Sequence, residues 1–235
     1  MENIINHVRK ALINKSDERT RNSGKRFFKD DIKLYGVKSE EIKKLSKEFF
    51  IKIKDKSKAE IFNICEELWQ SGIIEESMVA CIWSHKLVKQ YSKEDFVVFE
   101  RWIDLYVNNW ASCDTLCNHT VGDFVQIYPE YIWNLKSWAK SKNRWMRRAA
   151  AVSLIIPAKH GLFIEHIFEI ADILLNDKED LVQKGYGWML KSACNKYEND
   201  VFNYVMARKD RMPRTALRYA IEKMPQELKR RAMEK

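Results

Sequence analysis

Five residues, Met78, Asp114, Arg148, Lys184 and Arg214, follow one another along the chain at intervals of 36, 34, 36 and 30. Four of them are charged and three are basic, and a row of cations at a regular interval suits a phosphate backbone. Asp114 breaks that logic, because a carboxylate in a cationic row repels phosphate, and its presence points to chemistry. Beside a deoxyribose, a carboxylate stabilises the oxocarbenium-like cation that forms as a glycosidic bond breaks, and can orient the attacking water. Trp110 lies four residues before Asp114 and Trp188 four after Lys184, a spacing that puts each indole on its partner's helical face. If Trp110 belongs instead to the connection before the helix, that inference weakens. An indole beside charge suits stacking or CH–π contact with a sugar or base, whereas Trp69, Trp83, Trp102, Trp133 and Trp138 read as core. Two plainer readings stay open at this point. The row can be solvated positions that share a phase, and Asp114 can be an ion-pair partner of Arg148 with a purely structural role.

Helices must position these residues. Apolar residues recur at three- and four-residue intervals with polar breaks about every fifteen residues, which predicts helices over 39–54, 57–70, 75–91, 93–107, 112–128, 129–141, 144–159, 162–175, 178–197, 198–209 and 213–224. Ser39 with Glu41 and Ile42 behind it, Ser92 with Glu94 and Asp95, and Pro129 and Pro213 read as helix starts. Every second helix carries a small or apolar residue two positions beyond the charged row: Ala80, Leu116, Ala150, Tyr186 and Ala216. A spacing near 35 with two helices per unit is the signature of a solenoid. The expectation is an all-α fold, a right-handed helical solenoid of HEAT-like repeats with a concave basic groove, forming one domain over 1–235.

Composition agrees with that outline. Only 7 Gly and 4 Pro occur in 235 residues, too few for a turn-rich β fold. Lys and Arg number 42 against 33 Asp and Glu, a formal net charge of +9, which favours polyanionic partners. No apolar run approaches the ~18 residues that span a bilayer, and the stretch from Met1 to Lys10 has no signal-peptide core, so a cytoplasmic protein without a membrane partner is expected. The five cysteines, Cys65, Cys81, Cys113, Cys117 and Cys194, read as buried thiols of a reducing compartment. Cys113, Cys117 and His119 match no common zinc spacing, since His119 falls off the face of the other two, and no metal is expected. His160 and His166 read as surface or loop residues, and the basic run from Leu228 as a solvated last helix.

Four segments carry a resemblance to the AlkD-type alkylpurine DNA glycosylases, the DNA alkylation repair enzymes built from HEAT-like repeats. They are Trp110-Ala-Ser-Cys-Asp114, Trp145-Met-Arg-Arg148-Ala-Ala, Gln183-Lys-Gly-Tyr-Gly-Trp188, and Arg26-Phe-Phe-Lys29 through Leu34-Tyr-Gly36-Val. The resemblance implies that Asp114 is the catalytic carboxylate, that Trp110 and Trp188 contact the deoxyribose of the lesion, and that Arg148 holds the backbone nearby. Arg147, Lys184, Arg214, Phe27 and Lys29 complete the expected DNA contacts. It further implies a monofunctional N-glycosylase acting as a monomer on double-stranded DNA containing alkylated bases, associated with the nucleoid when bound. The resemblance also implies that the lesion stays stacked, unlike the usual base-flipping plan. Cationic 3-methyladenine or 7-methylguanine leaves as a neutral molecule with little need of a general acid, and no cofactor is required. The chain departs from the pattern at Phe27, where better-known members carry a tyrosine, and at Glu179-Asp-Leu-Val182, which is less aromatic. Two other classes stand beside this one: a non-catalytic DNA-binding repeat protein that recognises distorted or branched DNA, and a scaffold whose basic face docks an acidic partner.

Overall fold

The computed structural model describes residues 4–234, so the first three residues of the amino-terminal stretch considered above lie outside the described residues. The described residues form an all-α structure in which the one departure from helices and connections is an isolated parallel bridge between Lys33 and Ile73. They divide into two compact units, Met1–Leu116 and Cys117–Lys235.

The first unit contains α1 (Ile4–Asn14), α2 (Glu18–Arg26), α3 (Ser39–Ile51), α4 (Lys58–Gln70), α5 (Ile74–His85), α6 (Asp95–Leu105) and α7 (Trp110–Thr115). Its core is aromatic: Trp69, Trp83 and Trp102 are buried, and Trp102 meets the Phe62 ring edge-on at 5.5 Å. Each such ring, fully removed from water, contributes about 1.5–3 kcal/mol. α1 and α2 were absent from the predicted set. The first is an ordinary amphipathic helix, burying Ile5, Val8 and Leu12, whereas α2 buries nothing and leaves no periodic trace. Instead, Asp17 caps α2, its carboxylate accepting from the Thr20 amide at 2.8 Å.

The helix starts also differ in detail. Ser39 is the first helical residue and not the cap. The serine that does cap is Ser57, in a reciprocal box with Glu60 at the head of α4. α6 begins later than Ser92, whose amide donates instead to Asp95 at 2.8 Å.

The second unit contains α8 (Gly122–Ile127), α9 (Ile132–Trp138), α10 (Arg144–Val152), α11 (Ile155–Lys159), α12 (Ile164–Ile173), α13 (Asp180–Met206), α14 (Arg214–Ile221) and α15 (Gln226–Met233). The predicted break between 178–197 and 198–209 appears as a kink in α13, at Tyr197 with φ −131° and ψ 46°. The predicted helix 144–159 is two helices, because the backbone leaves helical geometry at Leu154. Pro213 precedes α14 as its cap residue. α13 and α14 touch at Gly187, where a Cβ would stand 2.8 Å from the Ala216 carbonyl oxygen, so only glycine allows this approach.

Trp133 corrects the core assignment, being 65 % exposed while Trp138 on the same helix is buried. Ile132, Leu135 and Trp138 take the inward face of α9. Trp133 falls on the other face, with the Lys136 ammonium 3.7 Å from its ring centroid. His166 is a residue of α12 and not of a loop.

The repeat is visible inside each unit. Ala80, Leu116, Ala150, Tyr186 and Ala216 are all fully buried. In the first unit α5 packs on α7; in the second α10 packs on α13 and α13 on α14. All five cysteines are buried. Among the described residues no helix is long and apolar enough to cross a membrane.

Candidate functional site

In the first unit the site begins with a helix cap. Asn109 is extended (φ −151°, ψ 157°), and its side-chain oxygen accepts from the Ser112 amide at 2.9 Å. Its side-chain nitrogen donates to the Ser112 hydroxyl at 3.0 Å, and that hydroxyl lies 2.8 Å from the Ser77 hydroxyl of α5. All three side chains are buried, so this network sets the register of α7 against α5. Trp110 is therefore the first residue of the helix and not part of the connection, and Asp114, four residues on, shares its face. Asp114 is half-buried, neither sealed in the core nor fully in solvent. Directly after α7 the backbone winds into a π-helical turn, Leu116–Val121, a local widening that in proteins often accompanies a functional residue.

The Trp110 indole stacks on a ring that sequence reasoning passed over. Phe28 lies 5.3 Å from it, centroid to centroid, with an interplanar angle of 22°. The neighbouring Phe27, singled out from the sequence, closes α2 with its amide on the Gly24 carbonyl at 3.0 Å and leaves its ring 72 % exposed. Lys29 is exposed beside them. The Phe27-Phe28 doublet marks the place in the sequence, but which ring meets Trp110 depends on where the loop returns.

A carboxylate clamp anchors the segment that follows Phe28. Glu75, on the first turn of α5, accepts backbone N–H bonds from Tyr35 (3.0 Å), Gly36 (2.8 Å) and Val37 (3.1 Å). Glu76 accepts from the Arg9 guanidinium at 3.0 Å and from the Tyr35 hydroxyl at 2.6 Å. Burial, and then the bond to Glu76, raises the Tyr35 phenol well above its ordinary pKa. Gly36 has φ +90°, and a Cβ there would stand 2.6 Å from Cβ of Arg21. The turn thus needs glycine for both conformation and space.

In the second unit the predicted basic residues are mostly engaged. Asn143 caps α10, its side-chain oxygen accepting from the Trp145 amide at 2.9 Å. Arg147 donates to Asp177 at 2.5 Å and to the carbonyls of Ser141 and Lys142 at 3.0 Å each. Asp177 also accepts from the Glu179 amide at 2.9 Å, just ahead of α13. Arg148 is only 5 % exposed; its guanidinium donates to the Leu181 carbonyl and its side chain lies against Gly185. Lys184 is half-buried and pairs with Asp180 at 2.7 Å. Trp188 is half-buried one turn further along α13, and Arg214 is exposed at the start of α14.

The first unit therefore brings Trp110 and Asp114 onto one helical face and adds Phe28. The second gathers Arg147 and Arg148 at the start of α13, the helix that carries Lys184 and Trp188. Among the described residues no group of three or more His, Cys, Asp or Glu side chains gathers in a metal-binding cluster, Cys113, Cys117 and His119 included.

A search of curated proteins finds no match. A solved structure described as a predicted DNA alkylation repair enzyme from Enterococcus faecalis is similar in fold, with a TM-score of 0.80 at 18 % identity over 90 % of this chain and 98 % of that one. The family described as DNA alkylation repair enzyme matches residues 8–224, nearly the whole chain and all of the segments built above, and the protein belongs to that family.

Proposed function

We propose that this protein is a monofunctional DNA N-glycosylase that hydrolyses the N-glycosidic bond of cationic alkylated purines, 3-methyladenine and 7-methylguanine, in duplex DNA without flipping the base. The observation that carries the proposal is the half-buried Asp114 on the same face of a capped helix as the Trp110 indole, in a chain of the DNA alkylation repair family. A base that already bears a positive charge departs as a neutral molecule, so the enzyme has one electrostatic task, to stabilise the cation left on the sugar. Asp114 supplies the anion and directs water to the anomeric carbon, while the face of Trp110 supplies π density. The second unit holds the phosphate backbone through Lys184 and Arg214. Arg147 and Arg148 serve it by fixing the start of α13, and Phe27 and Lys29 add contacts from the first unit. The reaction needs no cofactor, and the protein acts as a monomer in the cytoplasm.

The test is mass analysis of the bases freed from methylated duplex by the wild type and by Asp114→Asn. The expected result is release of methylated purines by the wild type and a loss of about a hundredfold or more in the variant. Equal release by the two rejects the catalytic assignment. Salt-sensitive binding with no abasic product from the wild type establishes the non-catalytic DNA-binding alternative.

A further inference from the structure

Trp110 is the first residue of a six-residue helix and only half-buried, a position in which an indole has several rotamers open to it. One contact selects among them. The Phe28 ring lies 5.3 Å away and 22° from parallel, an offset stack against one face of an indole that is itself only half-buried. Phe28 is in turn fixed from both sides. Its amide donates to the Lys25 carbonyl at 3.3 Å, and the loop beyond it ends on the buried Glu75 carboxylate.

We infer that Phe28 is a positioning residue for the reaction: it presets the Trp110 indole so that the face turned away from Phe28 meets the deoxyribose as charge develops there. This rests on the glycosylase reading above. An aromatic wall set before binding avoids ordering the side chain in the transition state. The gain belongs to the cleavage step more than to DNA affinity, because the charge that the indole faces exists only as the bond breaks.

The experiment is single-turnover base release from methylated duplex at saturating enzyme, comparing wild type, Phe28→Leu and Phe28→Tyr, with DNA affinity and thermal melting measured on the same preparations. Leucine keeps apolar bulk but loses the flat ring, and the expected result is release slower by about five- to tenfold with affinity and melting near wild type. Tyrosine keeps the ring and restores the rate. A leucine variant as fast as wild type overturns the inference, as does a tyrosine variant as slow as leucine. Phe28→Met serves the same comparison if the leucine variant melts early. Absence of base release by the wild type overturns the glycosylase reading and this role with it, and shows before any variant is compared.

Discussion

α7 and α10 are counterparts in the repeat. Each starts behind an asparagine whose side chain caps the first turn, Asn109 and Asn143, and each carries its charged residue at the same place, Asp114 and Arg148. Their fates diverge. Asp114 is half-buried on the face of Trp110, whereas Arg148 is almost wholly buried and bonded to a backbone carbonyl of α13. Arginine is long enough to reach the start of α13, where its side chain lies against Gly185 and its guanidinium donates to the Leu181 carbonyl. One repeat position thus leaves its side chain half-buried in one helix and builds it into the packing of the other, and a basic residue in a recurring phase is not by itself a cation available to DNA.

The comparison breaks most visibly at Arg148. Arg148→Ala should destabilise the protein by about 2–4 kcal/mol, through a cavity beside Gly185 and the loss of the charge-assisted bond to the Leu181 carbonyl; an unchanged urea midpoint would return Arg148 to the exposed cationic row. Next in size is the pair beside it. A double-mutant cycle on Arg147→Ala and Asp177→Ala should give a coupling of roughly 1–2 kcal/mol, and additive losses would show the pair to be incidental. The smallest stability change belongs to the exposed Arg214. Arg214→Ala should stay within about 0.5 kcal/mol of wild type, yet lower the dependence of log affinity for DNA on log salt by about one. An unchanged salt slope removes Arg214 from the DNA contacts.

Much of the helical plan between Ser39 and Met224 was legible because it rests on apolar periodicity, which backbone geometry enforces. The break near Tyr197 and the buried repeat positions from Ala80 to Ala216 followed from it. The features that escaped depend on tertiary partners. α2 has no apolar face, and its Arg21 is held by a carbonyl of a distant loop, at 2.9 Å from Tyr35. Trp133 sits in the outward phase of a helix too short for composition to reveal its inner face. In the candidate site, the shared face of Trp110 and Asp114 was readable as an i,i+4 spacing, and the Asn109 cap turned that spacing into geometry. The Phe28 stack was not readable, since it depends on where a loop returns. Nor was the internal engagement of Arg147 and Arg148, because sequence records a charge and not its neighbours.

The Glu75 clamp has a consequence for how this part of the protein opens. Three consecutive amides of an irregular loop, those of Tyr35, Gly36 and Val37, end on one carboxylate at the head of α5, in place of a ladder of carbonyls. Such amides cannot fray singly, as those of a surface loop do. They exchange with solvent deuterium when the loop parts from the Glu75 carboxylate, so three amides of an irregular stretch open together as one cooperative unit.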